Sequence, residues 1–315
     1  MHVLVASHDD LTRRAATSLL HELGHEAVSV SSGTGAWHVL NSEDPPSLAL
    51  VEWDLPGTEA LGLCSRLRNR EDAPYVYLIV MGKAQYSNEA LAALEAGADD
   101  YLPHPLDPCL LRLRLRAAEH IVALHDDFRS SREALEYKST HDALTGTWNR
   151  GEVIGILERE VARSRREGWP VCVVMIDVDH FKNINDTYGH LMGDAALREL
   201  TARMLDSLRP YDIMGRYGGE EFLVVLGGCS PRNAAALAER LRELAAARPV
   251  RLADEEVTVT ISLGVASWNA NECGDIQSLL RAADVALYKA KREGRNRVQT
   301  AWDARPPAEE AADAA

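Results

Sequence analysis

The 315-residue chain contains no run of roughly 18 or more uncharged apolar residues, so it has no segment able to cross a membrane as a helix. Its first apolar stretch, Met1-His2-Val3-Leu4-Val5-Ala6, is too short for the core of a signal peptide. Cys-x-x-Cys pairs are also missing. The five cysteines, Cys64, Cys109, Cys172, Cys229 and Cys273, are odd in number and scattered, which argues against a disulfide framework and a zinc site and predicts buried free thiols. Positive charge is in short supply: 34 Lys and Arg stand against 48 Asp and Glu, and the net charge of −14 disfavours nonspecific binding to nucleic acid or an anionic membrane. No internal repeat is visible. These absences predict a cytoplasmic protein with no nucleic-acid and no membrane partner. An anionic substrate would need a locally basic or metal-supplied site.

What is present is the composition of a soluble globular protein, 46% hydrophobic and 26% charged, in a chain long enough for two domains with separate cores. In the first hundred residues, short apolar runs alternate with helical patterns. The runs are Val3-Leu4-Val5-Ala6, Ala27-Val28-Ser29-Val30, Leu48-Ala49-Leu50-Val51 and Val76-Tyr77-Leu78-Ile79-Val80-Met81, with a weak fifth at Tyr101-Leu102. Helical periodicity at 11–23 and 87–96 fills two of the gaps, so the expectation is α/β: a doubly wound, flavodoxin-like parallel sheet. From 106 to about 138 the pattern is continuous helix, with no Gly and with Pro108 where a first turn tolerates it. Ile121, Leu124, Phe128 and Leu135 follow heptad spacing, interrupted at Ser131 and Lys138. A parallel coiled coil between two subunits and a single amphipathic linker both suit this helix. Beyond it the pattern predicts a helix to Glu167, a strand at 171–176, a helix from about Asp194, a hairpin, a helix at 231–247, a strand at 257–265 and a helix at 276–292. That order suggests a ferredoxin-like α+β core. The predicted division is 1–120, a helical linker at 121–140, a second domain at 141–300, and a tail at 301–315 whose Ala, Pro and Glu content from Asp303 onward predicts disorder.

Arg216-Tyr217-Gly218-Gly219-Glu220-Glu221-Phe222 lies between the apolar runs Ile213-Met214 and Leu223-Val224-Val225-Leu226. Two strands joined through Gly-Gly read as a hairpin whose turn exploits the positive φ that glycine enters cheaply. Its tip carries two acids and almost no bulk, which suits a phosphate chain and Mg²⁺; it equally suits an ordinary hairpin with solvated acids. With its flanks, from His141 to about Val298, the segment resembles the GGDEF family of diguanylate cyclases in its Gly-Gly-Glu-Glu-Phe form. Asp142-Ala143-Leu144-Thr145-Gly146-Thr147-Trp148-Asn149-Arg150 resembles the segment that joins input helix to catalytic domain in that family.

The resemblance implies condensation of two GTP molecules into cyclic di-GMP and two pyrophosphates across a homodimer. It implies two Mg²⁺ ions per active site, with Mn²⁺ as a substitute, held by Asp177, the backbone of Val178 and Glu220. Glu221 supports the cluster, and Glu220 is also the candidate proton acceptor. Phe181 and Lys182 place backbone N–H groups around the phosphates, with Gly218 and Gly219 opposite and His190 in the same loop. Lys291 and Arg295 reach the terminal phosphates, although cations at a helix end also offset the dipole. Asn185 and Asp194 form the guanine-reading pair, because a carboxylate accepts from guanine's adjacent donors; helix N-capping by Asp194 is equally good local chemistry. Arg209-Pro210-Tyr211-Asp212 matches the family's Arg-x-x-Asp product-inhibition site, with Arg240 as a second arginine. Two rivals remain open: a catalytically dead domain that senses cyclic di-GMP, and a cyclase making a mixed or adenine-containing dinucleotide.

In the first half, Leu55-Pro56-Gly57 and Leu94-Glu95-Ala96-Gly97-Ala98-Asp99-Asp100-Tyr101-Leu102 resemble a response-regulator receiver domain. Aligned on these landmarks, the metal-binding acids fall at Ser7 and His8, with Asp9 and Asp10 displaced. The phosphoacceptor position holds Glu52, the hydroxyl position Gly82, and the lysine position His104, before Pro105. The expectation is a pseudo-receiver that does not cycle phosphate. Asp54 as a shifted acceptor, Glu52 as a mimic of phosphoaspartate, and a plain dimerisation module are the readings left open.

Overall fold

The computed structural model describes residues 1–58, 60–70, 73–83, 88–252, 255–268 and 275–302; the 303–315 tail and Cys273 lie outside these residues. The chain divides into two compact units, Met1–Ala134 and Leu135–Ala315.

In the first unit β1 (His2–Ala6), α1 (Asp10–Glu22), β2 (Glu26–Val30), α2 (Gly33–Leu40), β3 (Leu48–Glu52), α3 (Ala60–Arg68), β4 (Tyr77–Gly82), α4 (Asn88–Glu95) and β5 (Asp100–Pro103) alternate, and α5 (Pro108–Thr140) follows. All neighbouring strands are parallel, in the order β2-β1-β3-β4-β5. This is the flavodoxin-like plan the alternation predicts. Successive side chains of a strand face opposite ways, so Leu4 and Ala6 join the core under α2, α3 and α4, while Val3 and Val5 join the core under α1 and α5. β3 and β4 are buried throughout, which is why they read as unbroken apolar runs. Leu111, Leu115, Ala118 and Val122 seat the first half of α5 on this unit. Ile121 packs against the same core, so it belongs to the first unit and not to a free heptad seam. Leu124, Phe128 and Leu135 are exposed, at 51%, 71% and 67%.

The second unit contains α6 (Arg150–Glu167), β6 (Val171–Val178), α7 (Phe181–Tyr188), α8 (His190–Asp206), β7 (Ile213–Arg216), β8 (Glu221–Gly227), α9 (Pro231–Ala247), β9 (Val250–Leu252), β10 (Glu255–Val257), β11 (Ile261–Trp268), α10 (Ile276–Arg292) and β12 (Val298–Thr300). Its sheet runs β12-β11-β6-β8-β7, and the four strands from β11 to β7 are antiparallel neighbours, the ferredoxin-like arrangement. α7, α8 and α9 cover one face, and α6 and α10 the other.

Three details differ from the sequence expectations. The strand expected at 257–265 falls in two elements: Val257 ends β10, which pairs with β9 as a small hairpin, and the buried strand starts at Ile261. The stretch after β6 is not a loop, since Phe181 opens α7, whose Phe181 and Ile184 are its only buried residues. The thiols are not uniformly buried: Cys64 and Cys172 are, Cys229 is half-buried and Cys109 is exposed.

Candidate active site

Strand pairing assembles the acids. Asp177, at the end of β6, sits in register with Glu221 of β8 on one side and Ser262 of β11 on the other. Val178 N–H donates to the Glu220 carbonyl at 3.3 Å, which ties the end of β6 to the hairpin tip. Lys291, from the last turn of α10, places its ammonium 2.7 Å from the Asp177 carboxylate. Asp177 is 7% exposed. Burial raises its pKa above the ordinary carboxylate value, Lys291 opposes the rise, and Glu220 and Glu221 add to it by like-charge repulsion. The arrangement is a surplus of negative charge at a strand end, answered by one cation at the mouth.

Residues 217–220 join β7 to β8, and Tyr217 N–H and Gly218 N–H both donate to the Glu221 carbonyl, at 2.8 and 3.2 Å. Neither Gly218 nor Gly219 has positive φ, so the turn does not need glycine for its backbone shape, contrary to expectation. The requirement is space. A Cβ on Gly218 would stand 2.5 Å from the Glu221 carboxylate, whereas Gly219 faces open space and leaves its backbone bare.

Asn185 and Asp194 come from adjoining helices, α7 and α8. Gly193 permits that approach, because a Cβ there would collide with the Asn185 side-chain oxygen and lie 3.2 Å from the Phe181 ring. Asp194 does not cap a helix: α8 begins at His190, its N-cap is Gly189, and Asp194 is in the helix and half-buried. Its carboxylate is therefore not committed to helix capping. Phe181 is buried under Gly193, while Lys182 and His190 are exposed at the starts of α7 and α8. Arg295, just past α10, is exposed and has φ of 63°.

Arg209 and Asp212 share one turn, in which Arg209 N–H donates to the Asp212 carboxylate and Asp212 N–H to the Arg209 carbonyl, both at 3.0 Å. The Arg209 guanidinium donates to Tyr211 Oη at 3.0 Å and is exposed. Arg240, from α9, bonds the hydroxyl and carbonyl of Ser207 at 2.9 and 2.8 Å, which places it beside the same turn. Both arginines thus present their faces to solvent on one edge of the unit.

Two residues that the motif contained but the sequence reading left without a role tie the lead-in segment to the hairpin. Asp142 accepts from the amide and hydroxyl of Thr145 and, at 3.0 and 3.2 Å, from the Arg216 guanidinium. Arg216 also donates to the Gly219 carbonyl from Nε and Nη2. Burial opposes ionisation of Asp142, but Thr145 and Arg216 outweigh it and hold the carboxyl below the usual range. Trp148 bridges to Gly215 at the outer edge of β7.

In the first unit the strand ends look different. Glu52 is 9% exposed and accepts from the Ser7 hydroxyl at 2.6 Å and His8 N–H at 3.1 Å. His8 Nδ1 lies 3.0 Å and His104 Nε2 3.7 Å from its oxygens. Asp9 caps α1 by accepting from Thr12, and Asp10 pairs with Arg13 and Arg14, so neither acid faces Glu52. Gly82 leaves the space that the Tyr101 hydroxyl fills. Asp54 is exposed, 3.7 Å from Lys83.

The strand ends that gather acids and a lysine beside a bare hairpin are the candidate active site. Residues 139–297 match the family described as "Diguanylate cyclase, GGDEF domain", and residues 3–116 match "Response regulator receiver domain". The chain belongs to the GGDEF family and carries a receiver domain at its N-terminal side. The response regulator PleD of Caulobacter vibrioides is 33% identical over 291 residues, covering 92% of this chain and 64% of PleD. Diguanylate cyclase DosC of Escherichia coli K12 is 38% identical over 196 residues, covering 62% of this chain and 41% of DosC. The chain thus spans less than two thirds of the length of these relatives. The crystal structure of the coiled coil and GGDEF domain of DgcB from Caulobacter crescentus, in complex with c-di-GMP, superposes with a TM-score of 0.54 at 30% identity, covering 60% of this chain and 98% of that one.

Proposed function

We propose that the chain is a diguanylate cyclase, condensing two GTP into cyclic di-GMP and two pyrophosphates at a homodimer interface. The observation that carries the reading is the collection of Asp177, Glu220 and Glu221 around one strand end, with Asp177 held 2.7 Å from the Lys291 ammonium and its carboxyl raised by burial. A solvated hairpin has no reason to concentrate charge in this way.

The donor set suits a hard cation. Asp177, the Val178 carbonyl and Glu220 are oxygen ligands that would hold Mg²⁺, or Mn²⁺ in its place, two ions per site. Among the described residues no group of three His, Cys, Asp or Glu side chains converges on one point. The Lys291 ammonium beside Asp177 serves as a cationic stand-in on the same carboxylate. Bound there, the metal supplies charge neutralisation at the triphosphate and a lowered pKa for the attacking hydroxyl. Glu220 accepts the 3′-hydroxyl proton, and Glu221 keeps the hairpin tip in place. Lys291 and Arg295 take the terminal phosphates, Phe181, Lys182, Gly218 and Gly219 offer backbone along the phosphate chain, and His190 borders it. Asn185 and Asp194 read guanine; adenine would leave the Asp194 charge unpaired.

Each domain holds one GTP, so two must face each other for both hydroxyls to attack. The exposed stripe of Leu124, Phe128 and Leu135 on α5 supports a helical pairing of two chains. Arg209, Asp212 and Arg240 form the product site, where bound cyclic di-GMP holds the catalytic domains apart. The receiver acts without phosphate chemistry: Glu52 is enclosed by Ser7, His8 and His104, and no lysine stands at position 104.

The test is incubation of purified, unphosphorylated protein with GTP and Mg²⁺, following pyrophosphate and identifying the product by mass. Cyclic di-GMP made without a phosphodonor is the expected result. No product, together with tight binding of added cyclic di-GMP, would transfer the function to sensing through Arg209. With ATP supplied beside GTP, an adenine-containing dinucleotide would overturn the role of Asp194.

A further inference from the structure

Asp179 lies two residues beyond Asp177 and is 4% exposed, yet it is not among the groups assigned to substrate or metal. A carboxylate buried this far must be fully hydrogen-bonded to be tolerated. Its Oδ1 accepts from the Ser262 hydroxyl at 2.7 Å, and its Oδ2 accepts from the Thr260 hydroxyl at 2.8 Å and from the Asn296 backbone N–H at 3.0 Å. The donors belong to two different segments. Ser262 lies in β11 and Thr260 just before it, and Thr260 also takes the Asp179 N–H on its carbonyl at 2.9 Å. Asn296 belongs to the turn that leaves α10.

That turn is an unusual piece of backbone. Gly294, Arg295 and Asn296 have φ of 117°, 63° and 46°, and the last two are not glycines. Consecutive left-handed residues with side chains persist only where their surroundings enforce them. Arg295 N–H is held by the Ala290 carbonyl at 3.0 Å, which fixes the near end of the turn to α10. The far end is fixed by the Asn296 N–H on Asp179. Between these anchors stands Arg295, and one turn back on the same helix stands Lys291 against Asp177. The strand that carries the acids therefore also grips the arm that carries the cations.

Resting on the cyclase reading above, we infer that Asp179 is a positioning residue for the triphosphate: it fixes the left-handed turn that aims Arg295, and with it Lys291, at the end of β6. It touches no substrate. Its effect is felt only by ligands long enough to reach the arm, which separates it from a residue that merely supports the fold.

The experiment measures equilibrium binding of a non-hydrolysable GTP analogue and of GMP, with Mg²⁺, to the full-length wild type, Asp179→Ala and Asp179→Asn. Asp179→Ala is expected to weaken the GTP analogue at least tenfold while leaving GMP within twofold. Asp179→Asn is expected to recover most of the loss, because its amide oxygen can take the two donors on Oδ2 and its NH₂ can donate to the rotatable Ser262 hydroxyl. Equal losses for both nucleotides, or no loss for either, would overturn the inference and leave the cyclase reading standing. A wild type that binds neither nucleotide would overturn both. If Asp179→Ala does not fold, hydrogen exchange of the wild type decides. The GTP analogue, and not GMP, is expected to slow exchange across 293–297; unchanged exchange there would sink the proposal.

Discussion

Glu52 and Asp177 occupy equivalent places, each a buried acid at the carboxyl end of a central strand, and their surroundings are opposite. Glu52 Oε2 accepts from the Ser7 hydroxyl and the His8 amide and lies 3.0 Å from the His8 imidazole, with His104 3.7 Å from Oε1. Asp177 is crowded by two further acids and touched by one lysine on the rim. A carboxylate faced by donors of its own domain gains less from a cation than one crowded by other acids. The comparison teaches that an acid at a strand end identifies a site only through its neighbours.

The strongest way to break the comparison is at the crowded end. Glu220→Gln is expected to reduce cyclic di-GMP formation by on the order of 10³-fold or more, with the thermal midpoint unchanged, as read by pyrophosphate release and calorimetry. Retained turnover would remove Glu220 from the chemistry. Arg209→Ala is expected to weaken product inhibition by roughly 10- to 100-fold, the worth of a charge-assisted contact, while initial rates without product stay as they were. An unchanged inhibition curve would show that the Arg209 turn is not the product site.

Asp142→Asn tests whether the lead-in segment is fastened to the hairpin. Loss of the Arg216 pair is expected to destabilise the second unit by about 2 kcal/mol in denaturant unfolding at neutral pH. The Asp142 carboxyl lies below its ordinary value, so its contribution is present above that value and is lost as pH falls toward the folded-state pKa. The variant should therefore lack that part of the wild type's acid sensitivity.

Asp177 has the reverse sign. Its carboxyl lies above the ordinary value, so the stability of the protonated form is present below that value and is lost as pH rises through the raised pKa. Asp177→Asn is expected to flatten that limb of the stability profile and to abolish turnover. A profile identical to the wild type would mean the crowding is relieved in solution. The smallest effect belongs to the enclosed acid: Glu52→Gln, assayed with and without a small-molecule phosphodonor, is expected to leave cyclase rates unaffected by the donor. Donor-dependent activation of the wild type would end the comparison, because the receiver would then be cycling phosphate.

The elements that bury a face were legible from residue order alone. β1 through β5, α9 and α10 fall within a residue or two of the apolar runs, because burial imposes the period directly. α7 was not legible: it buries Phe181 and Ile184 alone, and the other six of its residues are polar or aromatic surface. The start of β11 was misjudged because Val257-Thr258-Val259-Thr260-Ile261 alternates like one continuous strand, whereas Val257 ends β10 in a different sheet and β11 begins at Ile261. Positive φ was expected of Gly218 and Gly219 and neither has it; the contact a Gly218 Cβ would make with the Glu221 side chain is invisible until the hairpin closes, and Gly219 faces open space.

The order and chemistry of the motifs, and the presence of Ser, His, Gly and His at positions 7, 8, 82 and 104, are properties of residues at positions, and the sequence by itself determined them. The tertiary structure decided which charges meet. Lys291 reaches Asp177, Arg216 joins Asp142 to the Gly219 carbonyl, and Asp179 holds Asn296, each across long stretches of chain. Such pairs leave no periodic trace, because a charge contact is fixed by the register of whole strands and helices and not by the composition of either segment.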